Sequence, residues 1–284
     1  MQKIKAERKL AGRKIFLSAS VPLAGRESKY KLIPHANIRI EEAILRVSSA
    51  IFNAGGTLIF GGHPSISPLI GYLCSQYQKP IDAEKAGNSA TGTRVDNETL
   101  DSNPRVELWQ SEAFRESWTG PSERLSKSIG VKTIWTPAIN QENYQGGKQD
   151  GSQCLESLEA LRHEMIDSEE IVAMIAIGGM EGVEREFEIF QRRWPRKTVY
   201  VLPTTGGAAS IIYENKQSST IKSFDDEVSR HVINFLEKIK QSNSFLIAKE
   251  LKNRTVDAYI PYANIASRIV LDIVKDLDGN KLRN

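Results

Sequence analysis

A run of seven apolar residues, Ile171–Ile177, ends directly at the pair Gly178-Gly179. A run of this length without polar alternation is typical of a parallel strand that is buried on both faces, because helices cover both sides of such a sheet. The glycine pair predicts a tight turn, and Val183–Arg193 behind it is predicted to form a helix. Strand, glycine turn and helix in this order favour an α/β fold.

The same order of elements recurs along the chain. Strands are predicted at Lys14–Ser20, Thr57–Phe60, Arg105–Gln110, Val131–Thr136 and Thr198–Leu202. Further helices are predicted at Ile38–Ala54, Ser67–Gln76, Leu155–Met165, Gly206–Tyr213, Asp226–Ile239 and Ile260–Asp278. Strands that alternate with helices predict a Rossmann-like three-layer α/β fold with a mainly parallel central sheet and a helical C-terminal extension.

Polar segments divide the 284 residues into three predicted parts. Residues 14–215 are expected to form the α/β domain, with polar insertions near 82–102 and 140–152 that are rich in loop-forming residues. Residues 1–13 form a basic leader in front of this domain. Residues 216–284 are expected to form helices that pack on the domain or form an interface.

The charge distribution argues against a nucleic-acid-binding protein. The chain contains 38 Lys and Arg and 35 Asp and Glu, which gives a net charge of +3. Residues 1–14 hold six basic residues and one acidic residue, so the remaining chain carries a charge of −2. Binding to nucleic-acid phosphates depends on a positive excess, which the body of this chain lacks.

Cysteine usage and hydropathy indicate the compartment. The two cysteines, Cys74 and Cys154, form no disulfide framework, which fits a reducing environment. No apolar run reaches the ~18 residues that cross a membrane, and no His, Cys or Asp cluster has metal-ligand spacing. We therefore expect a cytoplasmic protein with no membrane contact, no metal site and no cofactor.

Four turns after predicted strands carry the candidate ligand-binding residues. Because the carboxyl ends of parallel strands meet at one edge of a sheet, these turns are expected to surround one site. They supply hydroxyl groups, one histidine, and backbone N–H groups near helix N-termini for an anion such as phosphate. The candidates are Ser18, Ser20, Gly61, Gly62, His63, Ser65, Gly178, Gly179, Gly182, Thr205, Gly206 and Gly207.

These turns also have interpretations that need no ligand. The pair Gly178-Gly179 fits a plain strand-to-helix turn, and Glu186 in the following helix either complements the helix dipole or addresses a sugar attached to a phosphate. Ser65 or Ser67 fits a helix cap. His63 fits either a donor to a phosphate or ring nitrogen, or an ordinary loop histidine. The residues alone leave these alternatives open.

Three consecutive features resemble the SLOG superfamily, which contains the LOG phosphoribohydrolases and the Smf/DprA proteins. They are the segment Leu161-Arg162-His163-Glu164-Met165, the apolar strand Ile171–Ile177, and the pattern Gly178-Gly179-x-x-Gly182-x-x-x-Glu186. LOG enzymes share an Arg-Lys-x-x-Met helix, an apolar strand and a Pro-Gly-Gly-x-Gly-Thr-x-x-Glu motif. The resemblance extends in element order from residue 14 to about residue 213.

This resemblance implies a function. LOG enzymes hydrolyse the N-glycosidic bond of nucleoside 5′-monophosphates, and their catalytic Arg and Glu fall on Arg162 and Glu186. The chain departs from the motif: Ile177 replaces the proline, Glu181 is inserted, and Val183 replaces the threonine. Some divergent SLOG proteins bind NAD-derived or other nucleotide signals in bacterial antiviral defence.

The resemblance therefore implies a nucleotide or NAD-derived ligand and hydrolysis of its N-glycosidic bond. The alternative is a non-catalytic sensor of a nucleotide signal, such as a cyclic ADP-ribose variant, in antiviral defence. A homo-oligomer, a dimer or higher, is also expected.

Overall fold

Seven parallel strands form a single sheet in the computed structural model. The strands are Lys14–Ser20 (β1), Thr57–Phe60 (β2), Val106–Ser111 (β3), Val131–Thr136 (β4), Ile171–Gly178 (β5), Thr198–Leu202 (β6) and Ile221–Lys222 (β7). Their spatial order is β4-β3-β2-β1-β5-β6-β7, and every pairing is parallel. The sheet confirms the predicted Rossmann-like α/β fold.

The structure describes residues 8–22, 29–30, 33–77, 104–116, 118, 120–139, 154–215, 218–225, 227–228, 230–231, 234 and 260–281. The predicted insertions near 82–102 and 140–152 lie outside these residues, as does most of the predicted helix 226–239.

Within these ranges, helices follow most of the strands. They are Ala36–Asn53 (α1), Ser67–Gln76 (α2), Gly120–Ser126 (α3), Leu155–Ile166 (α4), Glu181–Arg193 (α5), Gly207–Glu214 (α6) and Tyr262–Lys281 (α7). Short 3-10 helices span Glu112–Phe114 and Pro203–Thr205. None of the described helices combines the length and hydropathy needed to cross a bilayer.

The sheet separates two hydrophobic cores, which gives the fold its three layers. On one face, Leu17 and Leu58 pack with side chains of α1, α2 and α7. On the other face, Phe16 and Ile59 pack with side chains of α4, α5 and α6. Neighbouring residues such as Phe16 and Leu17 serve opposite cores because successive side chains of a strand point to opposite faces.

Strand β5 is the buried central strand that the apolar run predicts. It lies between β1 and β6, and seven of its eight residues are buried. From β1 the chain continues to β2 on one side, whereas β5 continues to β6 on the other. The boundary between β1 and β5 is thus a topological switch point, where open α/β sheets form a crevice at the carboxyl ends of their strands.

Helix α7 shows how the end of the chain joins the domain. Its residues Tyr262, Ile265 and Ile269 are buried in the same core as α1. The hydroxyl of Tyr200 in β6 donates to Asp272 of α7 over 2.8 Å, and Lys222 of β7 donates to the same carboxylate over 2.5 Å. Burial raises the pKa of Tyr200, so its hydroxyl stays a donor. The last helix therefore packs on the sheet, while the predicted domain boundaries stay predictions.

Most predicted element bounds agree with the structure. The bounds of β1, β2, β4, β6 and α2 are as predicted, and α5 begins two residues earlier, at Glu181. Strand β7 and helix α3 are absent from the sequence prediction. Strand β7 has only two residues, and α3 has seven with two of them buried, so neither shows a periodic pattern.

Candidate functional site

A cavity of about 310 Å³ opens where β1, β2 and β3 end. Its walls come from the turns after these strands and from α4 and α5, and they are largely apolar, with Leu17, Phe60, Leu161 and Val183 among them. This volume lies at the lower end of the range of small-molecule sites, which typically combine apolar walls with a few polar groups.

The cavity brings together about half of the residues that the sequence singled out. Seven of them line it: Ser20, Gly61, Gly62, His63, Arg162, Gly182 and Glu186. Two more stand behind the lining, because Ser18 donates a hydrogen bond to Glu186 and Ser65 contacts His63. Residues that are 168 positions apart in the chain thus meet at the switch point between β1 and β5.

Glu186 is the central polar group of the cavity. The Ser18 hydroxyl donates to its Oε2 over 2.5 Å, and Arg162 Nε lies 3.8 Å from its Oε1. The Glu186 side chain is 18% exposed and that of Arg162 is 15% exposed. The two groups form an ion pair that is mostly shielded from water.

Burial of Glu186 raises the pKa of its carboxyl group above the ordinary value. Removing a carboxylate from water disfavours its charged form. The charge of Arg162 and the hydrogen bond from Ser18 lower the pKa again without cancelling the effect of burial. A carboxyl group with a raised pKa is suited to accept and release a proton during catalysis.

Arg162 is held by two carboxylates. Besides Glu186, its Nη1 lies 3.7 Å from Glu159 Oε2, while its buried Nε makes no hydrogen bond to any described residue. Its Nη2 would lie only 3.3 Å from a Cβ atom at Gly182, so the glycine lets the guanidinium pack against the first turn of α5. Glu159 also accepts a hydrogen bond from Arg185 over 2.8 Å, which lowers the pKa of Glu159.

The backbone N–H groups of Gly178 and Gly179 were expected to bind an anion, but in the structure they donate hydrogen bonds to other parts of the protein. The Gly178 N–H donates to Thr205 Oγ1 and the Gly179 N–H donates to the Ser20 carbonyl, each over 2.8 Å. Both amides are thus paired within the protein. Besides Ser18 and Ser65, five predicted residues lie outside the lining of the described cavity: Gly178, Gly179, Thr205, Gly206 and Gly207.

These five residues form a close contact between two turns. Gly207 has φ +61°, and a Cβ atom there would lie 2.4 Å from the Gly179 carbonyl oxygen. The Ala208 N–H donates to that oxygen over 2.9 Å, and Thr205 is fully buried. This geometry supports the interpretation of the glycines as a tight turn, and their contact with a ligand stays a prediction.

His63 is oriented by Ser65. The Ser65 Oγ lies 2.8 Å from His63 Nδ1, and the Ser65 N–H points at the same nitrogen over 3.3 Å. Because Nδ1 accepts from this amide, the neutral ring carries its proton on Nε2. The interpretation of Ser65 or Ser67 as a cap of α2 is wrong, since the N-cap residue is Ile66 and no side chain makes a cap hydrogen bond.

Three of the lining residues that the sequence did not predict carry polar side-chain groups: Gln110, Trp118 and Ser122. Gln110 Nε2 donates to the Gly61 carbonyl and Ser122 Oγ donates to the Gly62 carbonyl, each over 2.7 Å. Gln110 ends a predicted strand, so the rule that sites form at carboxyl ends was a signal for it. Trp118 lies outside every predicted strand and helix, and Ser122 lies in the unpredicted helix α3.

Fold and cavity together define a class: Rossmann-like α/β proteins with a shielded Arg–Glu pair at the carboxyl edge of the sheet. The model of the SLOG cluster3 family matches residues 93–234, half of the chain, and the chain belongs to this family. The match confirms the resemblance to the SLOG superfamily. It includes Arg162 and Glu186, while β1 and β2 precede it.

Two further comparisons concern individual proteins. The X-ray structure of TM1055, target VT76 of the Northeast Structural Genomics Consortium, aligns with 74% of this chain and 90% of its own, at 11% identity and a TM-score of 0.39. No curated protein matches this chain. Among the described residues, no group of three or more His, Cys, Asp or Glu side chains is arranged to hold a metal ion.

Proposed function

We propose that this protein binds a nucleotide or nucleotide derivative in the cavity and hydrolyses its N-glycosidic bond. Membership of a SLOG family supports a nucleotide-related binding or glycohydrolase-like role. The observation that carries the proposal is the shielded carboxylate of Glu186, which Ser18 holds by a hydrogen bond and Arg162 by its charge.

Glu186 has the properties that this reaction needs. When the bond between C1′ and the base breaks, the base leaves with the bonding electrons and the sugar develops positive charge, which a carboxylate stabilises. The oxygen of a water molecule then bonds to C1′, and Glu186 accepts the proton that this water loses. The departing base gains a proton, so the products are the free sugar derivative and the neutral base.

Three other residues that line the cavity are proposed to hold the rest of the ligand. Arg162 binds a phosphate or keeps the carboxylate oriented. The Ser20 hydroxyl also lines the cavity, is not fully buried, and has no partner among the described residues, so it can bind the sugar or phosphate. Gly182 lies in the first turn of α5, where backbone amides lack acceptors in their own helix. Its amide can therefore donate to the ligand.

The proposal is tested by incubating the protein with nucleoside monophosphates, NAD and cyclic ADP-ribose and measuring the free base by chromatography. We expect release from at least one of them, and a thermal shift with the same compound. A thermal shift without release would favour the non-catalytic nucleotide sensor of antiviral defence. If none of these compounds gave either base release or a thermal shift, the proposal would be overturned.

Ser18 is expected to act through Glu186, because it is 1% exposed and lies behind the cavity lining. In Ser18→Ala, the hydrogen bond that favours the charged carboxylate is lost, so the pKa of Glu186 rises further. Since ionised Glu186 is the active form, the acidic limb of the kcat–pH profile should move to higher pH, with little change in KM. The profile is measured by base release across pH.

Two variants serve as controls for Ser18→Ala. Ser18→Thr keeps the hydroxyl in a strand that tolerates β-branched residues, and it should restore the acidic limb. Ser20→Ala removes a hydroxyl from the same strand that lines the cavity itself, so it should raise KM and leave the limb in place. An unchanged limb in Ser18→Ala would contradict the positioning role.

We also propose a cytoplasmic homo-oligomer. Cys74 and Cys154 are both free and buried, which supports a reducing compartment. Assembly into a dimer or larger oligomer, and a role in antiviral defence, stay predictions.

A further inference from the structure

Three neighbouring strand ends lie side by side along the cavity. Strand β2 pairs with both β1 and β3, and adjacent strands are about 4.8 Å apart, so β1 and β3 are roughly 10 Å apart. Glu186 is held at β1 by Ser18, the Gly61-Gly62 turn follows β2, and Gln110 lies in β3. A sugar at Glu186 therefore has room for its base above β2 and towards β3.

Gln110 presents one fixed acceptor at the β3 end of this cavity. Its Nε2 donates to the Gly61 carbonyl over 2.7 Å, which only an amide nitrogen can do, so Oε1 is turned away from that carbonyl. Oε1 has no partner among the described residues and is not buried, although the residue as a whole is only 7% exposed. A Cβ atom at Gly62 would lie 2.4 Å from Nε2, so the turn packs closely against the amide.

Aromatic side chains line the same end of the cavity. Phe114 and Trp118, which follow β3 in the chain, both contribute to the wall. Trp118 is packed edge-on against Trp135, with ring centroids 4.9 Å apart, which restricts its position. Apolar aromatic walls around one fixed polar atom suit a flat, aromatic ring that carries a hydrogen-bond donor at its edge.

We infer that Gln110 is a specificity-determining residue that selects a base with an exocyclic amino group. This inference rests on the proposed function, since it assumes that the sugar lies at Glu186. The amino group donates to Gln110 Oε1. An oxo group at the same position places two acceptors against each other and leaves both unpaired, which costs affinity.

The test compares nucleotides that differ only in this group: adenosine with inosine monophosphate, and cytidine with uridine monophosphate. The readout is the ratio of kcat/KM for the amino and oxo members, or the ratio of their Kd values by calorimetry if no base is released. We expect the wild type to favour one amino member by about tenfold or more. In Gln110→Leu, which has similar volume but no acceptor, this ratio should fall towards 1.

A matched control is Thr136→Val at the end of the neighbouring strand β4. Thr136 is buried, contacts the Gln110 carbonyl over 3.5 Å and lies outside the cavity lining. Thr136→Val should keep the wild-type ratio between the amino and oxo nucleotides. A wild-type ratio near 1, a ratio unchanged in Gln110→Leu, or no binding of any of the four nucleotides would overturn the inference. Amino-selective binding without base release would instead overturn only the hydrolysis.

Discussion

Replacing Glu186 by glutamine is expected to lower the rate of base release by about 10²- to 10⁴-fold. Glutamine keeps the size of the side chain and an oxygen that accepts from Ser18, but it can neither carry the negative charge nor accept a proton from water. Binding of the nucleotide should persist, because Arg162, Ser20 and the walls of the cavity are unchanged. Single-turnover base release and calorimetry measure the two effects separately.

Glu188→Gln provides the matched control for this substitution. It lies in the same helix α5, its side chain is 56% exposed, and it pairs only with Arg185 among the described residues. The same chemical change at this site should leave base release within about twofold of wild type. Unimpaired release in Glu186→Gln would remove Glu186 from the catalytic role and leave Arg162 without its proposed partner.

The same Glu186→Gln variant should unfold at a higher temperature than wild type at neutral pH. Burial raises the pKa of Glu186, so between the pKa of the unfolded chain and that of the native protein the native protein retains a proton that the unfolded chain has lost. The free energy of unfolding therefore falls as pH rises through the native pKa. Glutamine does not ionise, so the variant escapes this loss.

We expect an increase in the melting temperature, and in a domain of this size each kcal/mol gained in the free energy of unfolding raises it by about 2–4 °C. The difference from wild type should vanish below the ordinary carboxyl pKa, where Glu186 is protonated in both states. Differential scanning calorimetry from acidic to neutral pH measures this. A lower melting temperature for the variant at neutral pH would mean that attraction to Arg162 outweighs the cost of burial.

The second large effect is expected from Gly207→Ala, at the contact between the two glycine turns. The added Cβ would lie 2.4 Å from the Gly179 carbonyl oxygen, and the residue would have to keep φ +61°. Backbone strain and overpacking each cost about 1–3 kcal/mol, so we expect a loss of about 2–6 kcal/mol in the free energy of unfolding. Urea denaturation followed by circular dichroism gives this value.

Gly279→Ala is a matched control, because it makes the same chemical change where space is open. Gly279 lies in helix α7, and nothing lies within 4 Å of the position of its Cβ. Alanine there should stabilise the protein by up to about 1 kcal/mol through helix propensity. Equal stability of Gly207→Ala and wild type would contradict the close packing of the two turns.

The predicted strands could be found because the signal for each of them lies in neighbouring residues of the sequence. Runs such as Ile171–Ile177 are apolar because both faces of the strand are covered, and glycine or proline marks their ends, so neighbouring residues carry the signal. Strand β7 lacks such a signal. Two residues show no period, and they form a strand only because β6 offers a free edge.

The candidate site likewise has one part that a local motif predicted and another part that only the tertiary structure creates. Arg162 and Glu186 were predicted from a local motif. The hydrogen bond between Ser18 and Glu186 instead depends on the pairing of β1 with β5, two strands that are far apart in the chain. Gln110 was missed because its place at a strand end does not show that its side chain reaches the Gly61 turn, which strand pairing brings beside it.

The sequence by itself determined the parallel α/β class, the SLOG resemblance and the edge of the sheet where the candidate residues gather, because hydrophobic period and turn chemistry are local properties. Only the tertiary structure decided which glycine turns face the cavity. The Gly61-Gly62 turn lines it, while the amides of Gly178 and Gly179 donate to Thr205 and Ser20 instead. The direction of an N–H group depends on acceptors that other strands bring close, and no local pattern encodes that.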